Sequence, residues 1–228
     1  MVGCYNEEDY SKFKDFTNKH TNFIYKPINE NCGHGIQAFN LEGKDNIDNF
    51  FHKKLSEGPF VLEEFINQGT ELSTIHSKSI NTLRVNTIVI GTEVLINAMT
   101  LRIGVGNSIV DNAGSGGIYA SVDYKNGIIQ SNARNYLGDH YNYHPDTKVQ
   151  IIGYKLPDWE ECLKLIKQIA LHIKGTNLIS WDLAYSDRGW IMVEGNAVGS
   201  WDILQSNLQI GLKPMLLSRI DNFFSTKL

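Results

Sequence analysis

Apolar positions along the chain recur at spacings of three to four in some stretches and of two in others, and the two periods divide it into helices and strands. Tyr10, Phe13 and Phe16 fall on one face of the segment from Glu7 to Lys19, which predicts a helix. Phe23-Ile24-Tyr25 then reads as a short strand ending at Lys26-Pro27. Gly33-His34-Gly35 interrupts the chain, Ile36 to Leu41 resumes it as a strand, and Ile47, Phe50, Phe51 and Leu55 mark one face of a second helix. After a Gly-Pro break comes the strand Phe60-Val61-Leu62-Glu63-Glu64-Phe65-Ile66.

Dense β-branched and apolar residues predict further strands at Thr82 to Ile90, Val94 to Ile103 and Ile118 to Val122. Between Trp159 and Ile173, an apolar stripe through Cys162, Leu163, Ile166, Ile169, Ala170 and Ile173 predicts a long amphipathic helix. Leu178 to Tyr185 and Trp190 to Glu194 follow as two apolar strands joined by Ser186-Asp187-Arg188-Gly189. The tail from Ile203 to Phe224 is helical, with a break expected near Lys213-Pro214. No internal repeat or low-complexity tract is present. The pattern defines an α+β class with helices packed on antiparallel sheets.

Composition narrows the function classes. With 228 residues and 42% apolar side chains the chain can bury a substantial core, which excludes global disorder. Lys and Arg number 21 against 25 acids, a formal net charge of -4, so no basic field gathers nucleic acid or an anionic membrane. Cys4, Cys32 and Cys162 are odd in number and far apart, a usage that fits a reducing compartment rather than a disulfide framework or zinc cluster. The acidic N-terminus is unlike a signal peptide and no run of 18 apolar residues occurs. The expectation is a cytoplasmic protein with no membrane insertion.

The sharpest local inference comes from the last strand pair. A three-residue loop Asp187-Arg188-Gly189, with glycine in the left-handed position, pairs Ser186 with Trp190. Counting back in that register sets Asp182 opposite Glu194, and alternation puts Asn196 on the same face as Glu194. Like charges facing each other weaken a hairpin, and a hard divalent cation such as magnesium would compensate, because carboxylate and amide oxygens suit it. An ordinary solvent-facing pair is the alternative, and a different loop length would turn Asp182 away from Glu194.

Other residues admit a chemical and a structural reading side by side. Lys26, seven residues before Gly33-His34-Gly35, can approach a polyphosphate together with exposed backbone N–H groups, or simply end a strand in solvent. The strand through Glu63, Glu64, Phe65 and Ile66 can receive a flat heterocycle on its backbone, with Glu71 near ribose hydroxyls, or serve as an edge. Arg84 and Arg102 lie in strands that read as buried and so require anionic partners, either a structural carboxylate or the oxygens of a reacting group. The glycine-dense stretch Val110 to Ile118 is a flexible connection or a gate over substrate.

The order of these elements is more specific than any one of them. Lys-Pro, Gly-His-Gly, Glu-Glu-Phe-Ile, Asn-Thr-Leu-Arg, Leu-Arg-Ile-Gly, Asp-Asn with Gly-Gly, Trp-Asp-Leu-Ala and Glu-Gly-Asn succeed one another between about Phe23 and Gln205. The series resembles the ATP-grasp superfamily, and most closely its sugar-transfer associated branch, linked with cell-surface polysaccharide pathways. The resemblance implies two α+β lobes with antiparallel sheets gripping ATP, here residues 1–66 with the phosphate loop and hinge strand and residues 67–228 with the metal and catalytic site. It implies that Lys26 contacts the phosphates, that Gly33, His34 and Gly35 form a flexible loop over them, and that Glu63, Glu64, Phe65 and Ile66 receive adenine, with Glu71 at the ribose. It implies Asp182, Glu194 and Asn196 as ligands of two magnesium ions, with Glu194 bridging, and Arg84 and Arg102 beside the reacting phosphoryl or acyl group.

The superfamily's usual chemistry is ligation: a carboxylate attacks the γ-phosphate, and an amine or other nucleophile then displaces phosphate from the acyl phosphate. The resemblance implies a magnesium-dependent ligase acting on a small-molecule or sugar-linked acceptor. A kinase and a degenerate nucleotide-binding module in a polysaccharide-assembly complex are the competing readings. Only 25 residues precede Lys26, where the resemblance implies a further N-terminal domain; the expectation is a fragment, a natural minimal form, or a chain that borrows that surface from a protein partner.

Overall fold

Aromatic side chains in the first third of the chain fall at positions that helix and strand periodicity turn inward, and they form one core. The structure, a computed structural model, describes residues 1–29, 35–41, 47–197, 199 and 201–225. It contains two compact units, Met1–Ile66 and Asn67–Leu228. In the first, strands β1 (Val2–Cys4), β2 (Asn22–Pro27), β3 (Gln37–Asn40) and β4 (Phe60–Glu64) form an antiparallel sheet in the order β1-β4-β2-β3. Helices α1 (Tyr10–Lys19) and α2 (Ile47–Glu57) supply Phe13, Phe16 and Phe51 to a core completed by Phe23, Tyr25, Phe60 and Leu62. Strand alternation therefore leaves Ile24, Lys26, Val61 and Glu63 on the opposite face of this sheet.

Two boundaries differ from the periodicity. The segment expected to be helical from Glu7 begins with a 3-10 turn, Glu7–Asp9, capped by Asn6, whose side-chain oxygen accepts the Glu8 N–H. Strand β4 stops at Glu64, where its last partner on β2 is Phe23, so Phe65 and Ile66 leave the sheet and Phe65 is 39% exposed.

The second unit opens with the short helix α3 (Thr70–Ile75), followed by the long strands β5 (Thr82–Ile90), β6 (Glu93–Ile103) and β7 (Ile118–Asp123). Three two-residue strands come next, β8 (Ile128–Ile129), β9 (Ala133–Arg134) and β10 (His140–Tyr141), then helix α4 (Trp159–His172) and strands β11 (Leu178–Ser186) and β12 (Gly189–Asn196). Helices α5 (Trp201–Leu208) and α6 (Leu212–Ser225) end the unit. Its antiparallel sheet runs β10-β9-β7-β6-β5-β11-β12, with β8 on β7.

Period-two alternation gives this sheet two unlike faces. Leu83, Val85, Leu101, Ile103, Ala120 and Leu183 point to one side and pack against Cys162 and Ile166 of α4. Arg84, Asn86, Thr100, Arg102, Ser121, Ser180 and Asp182 occupy the other and are nevertheless buried. Ala98 on this second face packs with Leu204 and Leu212, and Tyr119 packs with Ile203, so α5 and α6 cover part of it. The expected break at Lys213-Pro214 lies instead at Gln209–Gly211, where Gln209 takes a left-handed φ of 55°. Pro214 sits in the first turn of α6, where the N–H it lacks has no intrahelical acceptor. Among the described residues no helix is long and apolar enough to cross a membrane.

Phe13 is fully buried and touches the rings of Phe50, Phe51 and Phe60. Phe13→Ala is expected to destabilise the first unit by about 3–5 kcal/mol, read as a lower midpoint in urea unfolding.

Candidate active site

The β11–β12 hairpin reaches the expected pairing by an unexpected route. Ser186 pairs with Gly189, so the loop is two residues, Asp187 and Arg188, and not three. The Ser186 hydroxyl donates to the Gly189 carbonyl at 2.8 Å and accepts the Arg188 N–H at 3.1 Å, which fixes the tight turn. Continued without interruption, this register would set Asp182 opposite Val193. A register shift between Asp182 and Leu183 leaves Val193 as an extra residue and restores Asp182 opposite Glu194. Asn196, opposite Ser180, donates from its amide to Glu194 Oε1 at 3.1 Å.

Pairing across the sheet extends this point into a row. Ser121 on β7 faces Thr100 on β6, which faces Arg84 on β5, which faces Asp182 on β11, which faces Glu194 on the edge strand β12. Arg84 grips Asp182 with two parallel hydrogen bonds, Nε to Oδ1 at 2.8 Å and Nη2 to Oδ2 at 2.7 Å. Arg102 adds a third from Nη2 to Oδ2 at 3.0 Å, and Glu194 Oε1 lies 4.0 Å from Arg84 Nη2. Asp182 is 1% exposed, Arg84 7% and Arg102 6%, so these charges interact with little screening by water. Beside this row Asn97 donates to Asn86 and Asn86 to Ser180, so the neighbouring positions are bonded amides and hydroxyls.

The electrostatic result has a definite sign. Burial alone would raise the Asp182 pKa, but the Arg84 hydrogen bonds and the charges of Arg102 and Arg84 outweigh it and hold the carboxyl below the ordinary range. For Arg84, burial works against the charged form, and the Asp182 hydrogen bonds and charge reverse it, so its pKa is raised. The like-charge contact between Asp182 and Glu194, which sequence reasoning assigned to a metal for relief, is relieved in this arrangement by two guanidinium groups.

The remaining expected residues are distributed as follows. Gly33 and His34 lie outside the described residues, and Gly35 is an exposed glycine with a left-handed φ of 73°. Lys26 on β2 is ion-paired with Glu63 on β4, on the sheet face turned away from the aromatic core. Glu64 ends β4, and Phe65 and Ile66 follow it. Glu71 is exposed in the first turn of α3, whose Leu72 and Ile75 belong to the apolar-face core together with Tyr185. The structure therefore does not bring Glu71 to the Asp182 face. Asp111 and Thr82 were missed: Asp111 is buried, accepts hydrogen bonds from the Thr82 N–H and hydroxyl, and lies 3.5 Å from Arg102. Its signals in the sequence are an acid inside a glycine-dense segment and the place of Asp111-Asn112 in the ordered motif series, neither of which assigns it a partner.

The sequence model of the family described as sugar-transfer associated ATP-grasp matches residues 1–222. The chain belongs to that family. Its mixed architecture of helices and antiparallel sheets is thus an ATP-grasp fold, a fold that binds ATP. Solved structures similar to this family member include D-alanyl-alanine synthetase A from Vibrio cholerae, 11% identical with a TM-score of 0.46, covering 86% of this chain and 48% of its own. Another is the ATP-grasp ligase PsnB complexed with minimal precursor, Mg and ADP, 13% identical with a TM-score of 0.42, covering 90% and 47%. A third is the macrocyclase MdnC bound with precursor peptide MdnA from Microcystis aeruginosa, 14% identical with a TM-score of 0.37, covering 90% and 48%. The chain thus spans about half the length of these structures. No curated protein matches it in sequence.

Whether the ATP-grasp residues present suit magnesium is decided by their donor atoms. Among the described residues no group of three or more His, Cys, Asp or Glu side chains is placed to hold a metal. Magnesium needs fewer, since it keeps several waters and shares its shell with phosphates. Glu194, with half its side chain exposed, and Asn196 carry oxygens of the right kind on one edge strand. Asp182 Oδ1 accepts one hydrogen bond from the arginines and Oδ2 accepts two. These oxygens are of the kind a hard cation takes, those of Glu194 and Asn196 being more accessible than those of Asp182, which also orients the arginines.

Asp182→Asn leaves two buried guanidinium groups short of charge and is expected to cost about 3–5 kcal/mol at pH 7. Because the Asp182 pKa is depressed in the fold, its contribution is complete above the unfolded carboxyl value and is lost as pH falls through the folded one. Urea unfolding at pH 7 and again in strong acid should therefore show the gap between wild type and Asp182→Asn narrowing on acidification.

Proposed function

We propose that this protein is a magnesium- and ATP-dependent ligase that activates a carboxylate as an acyl phosphate and passes the acyl group to a nucleophile on a sugar-linked or related precursor, in the cytoplasm. The observation that carries this reading is the row Arg84–Asp182–Glu194 with Asn196 beside it, a paired-charge surface ending at an accessible carboxylate, in a chain of the ATP-grasp family. The words sugar-transfer associated in the family's description are the support for a sugar-linked acceptor, and a role in cell-surface polysaccharide modification extends that reading by the resemblance alone.

In this reading each residue has a task its chemistry suits. Lys26 gives a cation for phosphate oxygens and exchanges its Glu63 partner for them; Glu63, Glu64, Phe65 and Ile66 receive adenine, the last two past the end of β4 where backbone groups leave the ladder. Arg84 and Arg102, held on rigid strands, face oxygens on which negative charge builds as the γ-phosphoryl group moves. A substrate carboxylate oxygen bonds to the γ-phosphorus as ADP leaves, and the nucleophile then bonds to the acyl carbon as phosphate leaves. Glu194, Asn196 and the remaining Oδ1 capacity of Asp182 hold magnesium, one ion or two, which supplies charge neutralisation on the phosphates.

Calorimetry tests the assignment directly. ATP with magnesium should bind at least roughly tenfold more tightly than ATP in excess chelator, and Glu194→Gln should abolish that difference. Glu194 is exposed enough that the substitution should shift stability by no more than about 0.5 kcal/mol. Equal affinity with and without magnesium, or a Glu194→Gln protein that behaves like wild type, would remove the ligase reading. Hydroxylamine trapping of an acyl phosphate with a carboxylate substrate separates a ligase from a kinase, whose hydroxyl acceptor yields no hydroxamate.

A further inference from the structure

The segment Val110 to Gly117, glycine-dense and expected to connect or to gate, is a built arm. Asn112 accepts the N–H groups of Ser115 and Gly117 on its carbonyl, Ala113 is buried, and a Cβ on Gly117 would meet the Asp111 carbonyl oxygen at 2.3 Å. What the arm delivers is Asp111, 5% exposed, whose Oδ2 accepts the Thr82 backbone N–H at 2.8 Å and the Thr82 hydroxyl proton.

The direction of that second bond matters. A hydroxyl has one proton and two lone pairs, and a guanidinium can only donate. With its proton given to Asp111, Thr82 Oγ1 turns both lone pairs to Arg102 and accepts from Nε at 2.9 Å and Nη2 at 2.6 Å. Asp111 Oδ1 lies a further 3.5 Å from Arg102 Nη2, and Asn112 Oδ1 accepts from Nη1 at 3.4 Å. Arg84 has a bidentate partner in Asp182, whereas Asp182 gives Arg102 a single bond. The orientation of Arg102 therefore depends on the Thr82 hydroxyl, and the hydroxyl's orientation depends on Asp111.

We propose that Asp111 is a positioning residue for Arg102, acting through the Thr82 hydroxyl, and that the glycine-dense arm exists to hold it there. The consequence for ligand binding rests on the ATP-dependent reading above, in which Arg102 meets phosphoryl or acyl-phosphate oxygens. It differs in sign from a simple counter-charge. Removing a nearby negative charge would tighten binding of a phosphate anion, whereas removing a positioning group weakens it.

Two measurements test this. Dissociation constants for ATP with magnesium are compared for wild type, Asp111→Ala, Thr82→Val and the double variant; alanine is used at 111 because asparagine would keep an oxygen able to accept the Thr82 proton. Each single change should weaken binding by roughly tenfold, and the double should be no worse than the weaker single, because both break one chain. Tighter binding by Asp111→Ala, or losses that add, overturns the proposal. Independently of nucleotide, the Nε–Hε signals of the five arginines are followed by hydrogen exchange. Arg102 should exchange faster in Asp111→Ala while Arg84 is unchanged; an unaltered Arg102 overturns the proposal even if ATP binds. Should Asp111→Ala fail to fold, Thr82→Val carries the same exchange measurement. A wild type that binds no ATP removes the ligase reading and leaves this arm of the test standing.

Discussion

The second unit depends on one contact, the forked pair between Arg84 on β5 and Asp182 on β11. A charge with this little access to water is costly unless its partners are in place, and the penalty for losing one partner exceeds the gain from forming the pair. The pair therefore specifies more than it stabilises. It fits the register in which Arg84 faces Asp182, and a slip of one residue would turn one of them into the apolar core against α4. Arg102 joins from β6 and Asp111 from the following arm, so two cations and two anions are matched inside a sheet face that would otherwise have to be apolar.

The first unit solves a different problem. Its sheet has only four strands and its helices ten and eleven residues, and it relies on interlocked rings for cohesion. Tyr10, Phe13, Phe23, Phe39, Phe50, Phe51 and Phe60 meet at centroid separations of about 5 to 6 Å, largely edge to face, which is a favourable geometry for aromatic quadrupoles. Committing the aromatic side chains to one side leaves the other face of β2 and β4 to Ile24, Val61 and the ion-paired Lys26 and Glu63. A polar pair on a rigid strand surface is what nucleotide recognition by this unit would need.

Much of this was legible in the sequence because periodicity reports burial. The long strands β5, β6, β7, β11 and β12 and the helices α1, α2 and α4 follow from alternation or a stripe, each within one to three residues. The short elements were missed for the same reason: two or three residues, as in β1 or β8 to β10, carry no period. The hairpin is the instructive case. The loop was one residue shorter than expected, an error that alone would have turned Asp182 from Glu194, and a bulge at Val193 cancelled it. Nothing local announces a bulge, whose position depends on the neighbouring strand pairings. Arg84 and Arg102 were recognised as needing anions, but which anions could not be read. Asp111 reaches Arg102 only because the arm after β6 folds back, and no spacing rule relates residues 82, 102, 111 and 182.

The same matching of charge bears on how the proposed chemistry would be controlled. Arg84 and Arg102 against Asp182, Asp111 and Glu194 leave this face with one negative charge in excess, so it has no net attraction for a bare triphosphate. Nor is it an open cation site, because two guanidinium groups stand beside the carboxylates. A cation bound at Glu194 and Asn196 would make the face positive, and a triphosphate would in turn give the arginines oxygens to meet other than those of Asp182. Each ligand thus relieves the repulsion that opposes the other, and binding energy is realised when both are present. In that arrangement magnesium dependence follows from the sign of the surface, and the arginines retain their fixed directions from Asp182 and the Thr82–Asp111 chain throughout.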